Sequence, residues 1–536
     1  MMARHHAWFG LLCLAWLLPG LIAHDPWKPD EAYTFGVVYD MLSGGSWVAP
    51  SLAGEPFLRE PPLYYLTAAL SARAFSPLLP LHDGARLATA FYVGFALFFL
   101  ALAARELNGR GQHGTLAAAL LIGCFGLVLR SHQMIPQVAA LAGLAMAYYG
   151  CSLALRRPLG GLWLGTGLGI VFLSQGISEA LVVLLLAMFL PLVNSAWRTR
   201  TYGQAFGIAL LSVLPWITIW PIMLHAHSPE LFQAWLQAET VSQALRGGGF
   251  YYLRILPWYA WPVWPLALWA LWRAFGTGPV KPAIALPLTG LLITLLALTE
   301  SADKRELYAM PLLLPLALLA TPGIATLRRG ASNAWYWFSV TVFTFFVLVA
   351  WVYWSGLELG APPGLHAHLH RLQPGYTPGF KPISFALGVL YTIGWFAVLF
   401  TLRRSPQRPA WVWATGVTVT WGLVAVLFVR WADLGRSYRS VVMETQRALP
   451  QRYDCISSRD LGEAQRALFH YFAGIVTYRE EVPGRRRACD LMLVQGSARE
   501  ERSPGPEWVK IWEGSRPADK AERFRLYRRA AATRKR

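Results

Sequence analysis

The chain has 536 residues, of which 55% are hydrophobic and only 14% charged, where a soluble domain carries about 25% charged residues. A mean hydropathy of +0.38 excludes a single soluble globular unit and requires several uncharged runs, each able to cross a hydrocarbon core that takes about 20 helical residues. With 48 Lys and Arg against 29 Asp and Glu the formal charge is +19; in a membrane protein this is loop charge that sets topology and meets anionic lipid, not a nucleic-acid surface.

In chain order, the apolar run 7–23 comes after Arg4 and has the length of a signal-peptide core ending near Ala23. Cleaved or retained, it predicts that the segment C-terminal to it is exported. Further runs lie at 86–104, 114–129, 134–155, 162–173, 180–193, 206–223, 258–272, 283–298, 307–320, 335–354, 383–402 and 411–429. Together they predict about thirteen membrane helices. Residues 63–75 are also apolar, but Arg73 interrupts them and Pro77 and Pro80 come soon after. If they do not span, Arg4, Arg105, Arg156, Arg198, Arg273, Arg328 and Arg403 all fall on one side. That side is the cytoplasm, by the excess of basic residues in short cytoplasmic loops. Residues 63–75 are therefore assigned to a juxtamembrane or re-entrant helix.

The opposite face then receives residues 24–85, 225–257, 355–382 and everything after Trp431. This predicts a transmembrane unit over 1–432, with its first exported loop at 24–85, and an exported C-terminal domain over 433–536. In that tail the alternation of Leu491, Met492, Leu493 and Val494 and the helical spacing from Leu461 to Phe472 predict a small α+β fold. Cys455 and Cys489 are the tail's two cysteines, and an oxidising compartment favours a disulfide between them. Cys13, Cys124 and Cys151 lie within spans and read as small packing residues.

The first exported loop is the most informative stretch. Trp27-Lys-Pro-Asp30-Glu31-Ala-Tyr33 opens a helical pattern that runs through Met41 and Leu42 and stops at Gly44-Gly45; Pro29 and Asp30 suit its start. Asp30 and Glu31 suit the positive end of a helix, and equally a general base and a hydroxyl ligand held against the bilayer. A second long loop reads Ser228-Pro-Glu-Leu and closes on Gly247-Gly-Gly249, which predicts an interfacial helix capped by Ser228. His366, His368 and His370 alternate as ligands on a strand would. Pro363, Gly364, Pro374 and Gly375 around them predict a loop instead, and no metal site is assigned. The sequence contains no Walker loop, dinucleotide fingerprint or zinc spacing of cysteines.

Asp30-Glu31-Ala-Tyr33, Asp40-Met-Leu, Gly45-Ser-Trp47-Val-Ala-Pro50, Leu52-Ala-Gly54 and Pro61-Pro-Leu-Tyr64-Tyr65 together resemble the first periplasmic loop of GT-C glycosyltransferases of the aminoarabinose transferase and protein O-mannosyltransferase type. Weaker likenesses at Arg86-Leu87, Gln175-Gly176, 257–262 and 304–311 extend the resemblance over most of the membrane region. It implies a polytopic α-helical protein of GT-C type in the bacterial inner membrane, with its active site facing the periplasm. It also implies transfer of a sugar from an undecaprenyl-phosphate carrier to lipid A, another envelope glycan or a protein, with Asp30 and Glu31 as the catalytic acids. Where the family has an acid followed by lysine this chain has Arg59-Glu60, and Gln137 and Gln175 stand where aspartate and lysine are common. The sugar and the acceptor are therefore left open.

A polyprenyl phosphate leaving group gains negative charge, which fixed cations stabilise in a lipid-sheltered site. Lys304 and Arg305 are the first candidates, and Arg59, Glu60, Tyr64 and Arg246 complete the expected donor-phosphate and acceptor set. With a hydroxyl acceptor Asp30 takes the proton; a phosphate acceptor is already ionised and needs only positioning. Membrane lipids, the lipid-linked sugar and the acceptor are the expected partners, with no cofactor beyond the donor; divalent-metal dependence is left open. Two other classes compete: a transporter or flippase, which calls for paired repeats and charge at the bilayer midplane, and an inactive relative with a binding role. The spans are almost free of charge, Glu179 being the main exception, which favours the enzyme.

Overall fold

A computed structural model describes residues 2–109, 111–242, 249–275, 280–300, 304–482, 487–501, 503–519 and 521–530. Arg246, with Gly247 and Gly248, lies outside the described residues. Each predicted apolar run is helical over most of its length; the first ends at Leu17, and breaks fall at 123–124 and 260–262. Among the described residues seven helical segments are long and apolar enough to cross a membrane: Leu81–Asn108, Arg200–His227, Pro282–Thr299, Glu306–Ile324, Arg329–Glu358, Pro382–Thr401 and Arg408–Ala448, the last made of two consecutive helices. Shorter apolar helices, Ala7–Leu17, His113–Ile122, Gln137–Leu153 and Ile177–Val193, accompany them. The chain is thus a polytopic α-helical membrane protein. Where its helices approach, small residues let backbones meet: a Cβ on Gly161 would lie 1.9 Å from the Ala205 carbonyl oxygen. Close packing of this kind holds helices together where lipid is as apolar as the protein.

Residues 63–75 form the helix Leu63–Phe75, which buries Tyr64, Tyr65, Ala68, Ala69 and Ala72 and packs along Leu81–Asn108. In the second long loop the helix Pro229–Ser242 starts as predicted, with the Leu231 N–H donating to Ser228 Oγ at 3.3 Å. The three histidines correct the expectation of a loop. They lie on a helix, Pro363–Leu372, because prolines in the first turn lack only an N–H that has no helical partner there. His366 Nδ1 lies 3.0 Å from the Gly356 carbonyl oxygen, and among the described residues no group of acids, histidines and cysteines gathers to hold a metal.

The Arg408–Arg436 helix carries the chain past the expected boundary at 432/433 into the helix Arg439–Ala448 and a five-stranded sheet. In spatial order its strands are Tyr478–Arg479, Ile456–Arg459, Leu491–Ser497, Glu522–Arg529 and Trp508–Gly514. The first three are parallel and the last two add antiparallel. Leu491, Leu493, Phe524 and Leu526 pack on Leu468 and Phe469 of the helix Glu463–Ala473. Cys455 and Cys489 are joined in a disulfide.

That helix is what ties the tail to the first loop. Asp30–Leu42 and Glu463–Ala473 lie side by side and run in the same direction. Gly36 abuts Ala467 so closely that a Cβ on Gly36 would sit 2.4 Å from the alanine methyl. Further along, the Phe35 and Tyr39 rings meet Tyr471 at 4.7 and 5.0 Å, and Asp40 lies 3.5 Å from His470. Charged and polar ties surround this seam. Glu55 takes Arg466 at 3.0 Å and Arg479 at 2.8 Å, Asp25 pairs with Arg439, and the Asp25 N–H and Trp27 indole donate to Asp433 at 2.9 and 2.8 Å.

Candidate active site

The helix Asp30–Leu42 starts where Pro29 and Asp30 predicted, and the two acids of its first turn part ways. Glu31 is 1% exposed. It accepts from Arg86 Nε at 2.6 Å, the Trp27 N–H at 3.1 Å and the Met134 N–H at 3.4 Å. Arg86 is fully buried, and its remaining nitrogens donate to Asp83 at 2.7 Å and to the carbonyls of Leu21 at 3.0 Å and His24 at 3.2 Å. Burial alone would raise the Glu31 carboxyl; the Arg86 and His24 charges and the hydrogen bonds from Arg86 and the Trp27 N–H together outweigh it and hold the carboxyl below its ordinary range. Glu31 does not line the cavity that Asp30 faces. The structure gives it the geometry of a clamp that fixes the helix start, while Asp30 faces the cavity.

That cavity holds about 450 Å³ and is lined by Pro29, Asp30, Tyr33, Arg59, Arg305, Gly462, Glu463, Ala464 and Gln465, a size that suits a small ligand. One Asp30 oxygen accepts from Arg305, and the other lies 3.8 Å from Arg130. Arg130 donates to Gln133 at 3.0 Å and reaches Glu306 at 3.9 Å. Arg59 lies over the Tyr33 ring, 5.7 Å from its centroid, with Glu60 4.0 Å away. Glu60 turns inward instead, accepting from the Tyr65 hydroxyl at 2.8 Å. Burial pushes its carboxyl above the ordinary range, and Arg59 offsets only part of that.

Two other candidate residues do not line this cavity. Tyr64 is buried away from the cavity, its hydroxyl 2.7 Å from Thr89 Oγ1, so Tyr33 supplies the aromatic wall. Lys304 is exposed and does not line the cavity, whereas its neighbour Arg305 does. Sequence reasoning missed Arg130, which closes the short helix Phe125–Arg130 at a span edge where a lone arginine reads as a headgroup contact. It also missed the tail residues 462–465, whose place on the wall depends on the pairing of two helices remote in sequence.

The chain matches no protein-family model. It is 29% identical over 449 residues, 80% of this chain and 76% of the relative, to the undecaprenyl phosphate-alpha-4-amino-4-deoxy-L-arabinose arabinosyl transferase of Pseudomonas paraeruginosa. It is 26% identical over 437 residues, 77% of this chain and 75% of the relative, to the enzyme of the same name from Pseudomonas savastanoi pv. phaseolicola. The fold superimposes on the crystal structure of ArnT from Cupriavidus metallidurans bound to undecaprenyl phosphate with a TM-score of 0.70, at 14% identity and with 98% of each chain covered. The apo state of that protein gives a TM-score of 0.68 at 13% identity, again over 98% of each chain. The resemblance carried by the first loop therefore extends to the architecture of the whole chain.

Proposed function

We infer that this chain is an ArnT-like membrane glycosyltransferase that moves a sugar from an undecaprenyl-phosphate carrier to an acceptor at the periplasmic face of the inner membrane, lipid A or another envelope glycan. The observation that carries this reading is Asp30, set between Arg305 and Arg130 on the wall of the cavity. Bond formation between the acceptor oxygen and the anomeric carbon breaks the carbon–oxygen bond to the carrier phosphate, whose oxygen keeps the electron pair. Arg305 and Arg59 line the cavity where that charge develops, with Arg130 beside Asp30, and fixed cations in a sheltered site stabilise it without reorganisation. With a hydroxyl acceptor, the released proton passes to Asp30. A carrier phosphate competes with Asp30 for the Arg305 guanidinium, so donor arrival uncovers the carboxylate that takes this proton. Glu31 acts through Arg86 as a positioning residue. The units 1–432 and 433–536 meet at this cavity.

The test is Asp30→Asn in proteoliposomes supplied with the lipid-linked sugar and an acceptor. Loss of a positioned general base costs about 10²- to 10⁴-fold, so transfer should fall by at least about a hundredfold while carrier binding persists. Unchanged transfer would remove Asp30 from the mechanism.

A further inference from the structure

The tail does more than cover the cavity: it contributes residues 462–465 to the wall. Two parallel helices, Asp30–Leu42 and Glu463–Ala473, each present a first-turn acid to the same space. The two acids differ in occupancy. Asp30 is taken up by Arg305, whereas Glu463 is exposed and makes no ion pair among the described residues. Its neighbours on the helix are committed elsewhere. Gln465 donates to Glu522 at 3.2 Å and to the Tyr438 hydroxyl at 3.4 Å, and Arg466 donates to Glu55 at 3.0 Å. Ala464 has no polar side-chain atom. The close contact of Gly36 with Ala467 fixes the helix, and with it the start that bears Glu463, against the helix of Asp30.

A ligand entering the cavity therefore meets two guanidiniums, Arg59 and Arg305, and one carboxylate, Glu463, which lies within electrostatic reach of Arg59 without closing on it as an ion pair. That combination suits a molecule with an anionic end and hydrogen-bond donors near it. We propose that Glu463 is a substrate-binding residue which the C-terminal domain contributes to the active site, accepting a hydrogen bond from a hydroxyl or ammonium group of the reacting substrates. This rests on the glycosyltransferase reading of the site. The group belongs either to the carrier-linked sugar or to the acceptor, and kinetics separate the two.

The experiment uses the full chain in proteoliposomes with Glu463→Gln, Glu463→Ala and Glu463→Asp, varying the lipid-linked sugar and the acceptor in turn. If the sugar supplies the group, the alanine variant raises the donor KM by about tenfold or more with kcat within about threefold; if the acceptor does, the acceptor KM rises instead. Either result supports the proposal, with Glu463→Asp recovering part of the loss. A merely structural role at the helix start lowers Tm without this split, so equal KM values for wild type and Glu463→Ala overturn the proposal. An active wild type with an indifferent Glu463→Ala refutes this inference alone. A wild type that transfers no sugar from any polyprenyl phosphate overturns the glycosyltransferase reading together with it.

Discussion

The division of labour between Asp30 and Glu31 makes a sharp prediction, because neighbours in sequence should fail in opposite ways. Glu31→Gln leaves an amide oxygen that can still accept from the Trp27 N–H, but removes the charge facing Arg86 at 2.6 Å. Breaking a buried ion pair by removing one partner costs about 3–5 kcal/mol. Arg86 retains the Asp83 carboxylate and two carbonyl oxygens, which places the expected loss near the low end, about 3 kcal/mol. Glu31→Ala removes all three hydrogen bonds and should cost more. The assay is thermal unfolding of the purified protein in detergent, with sugar transfer measured on the same preparation. Glu31→Gln should lower Tm while keeping kcat within about tenfold of wild type, since its effect on the chemistry is indirect. Asp30→Asn should cut transfer by at least about a hundredfold with a smaller loss of Tm than Glu31→Gln, because its partners Arg305 and Arg130 are part-exposed and can turn to solvent. The Glu31 carboxyl is held below its ordinary range, so the stability it supplies is present above that range and lost as pH falls through the depressed value. Glu31→Gln should therefore approach wild type in strongly acidic buffer. A Glu31→Gln protein with wild-type Tm and no transfer would show that the clamp is a reactive acid after all.

Glu60 has the reverse sign. Its carboxyl is raised by burial, so its contribution is present below the ordinary carboxylate range and lost as pH rises through the folded value. Glu60→Gln, which keeps an acceptor for Tyr65, should exceed wild type in Tm at pH 8, with the difference closing in acid; equal or lower stability at pH 8 contradicts this. Gly36→Leu should push the paired helices apart, at about 1–3 kcal/mol for overpacking, and reduce sugar transfer as the residues 462–465 shift; wild-type Tm and transfer would mean the seam yields freely. Replacing Cys455 and Cys489 by serine opens a link of sequence separation 34, worth roughly 3 to 4 kcal/mol on the chain-entropy argument. Protease digestion of the tail should accelerate in that variant, and reductant should do the same to wild type; resistance unaltered by both would count against it.

Much of the architecture was legible because it rests on local signals. Apolar runs of sufficient length become helices, Pro29 and Asp30 mark a helix start, and Ser228 caps the next exposed helix as its spacing implies. The alternation at 491–494 became a strand for the same reason. The rest was not legible because tertiary contact decides it. The histidine stretch looked like a loop because prolines near its start read as breakers, although at a first turn they are tolerated. Tyr64 and Glu31 belong to a motif that faces two ways, and only the fold shows that Tyr33 and Asp30 take the cavity side. Arg130 and Glu463 carry no local signature at all; their relevance arises when Asp30 meets the end of one short helix and the beginning of another.

The seam between the loop and the tail has a consequence for biogenesis. Arg466 and its partner Glu55 are 411 positions apart, so the ribosome finishes the entire helical bundle before the cavity can receive its remaining wall. During synthesis the nascent enzyme carries Asp30 and its arginines without the surface that Gly462, Glu463, Ala464 and Gln465 provide. Competence then belongs to the finished polypeptide and not to its reactive loop, and a premature stop codon ahead of Gly462 should leave a product that inserts normally yet turns over nothing.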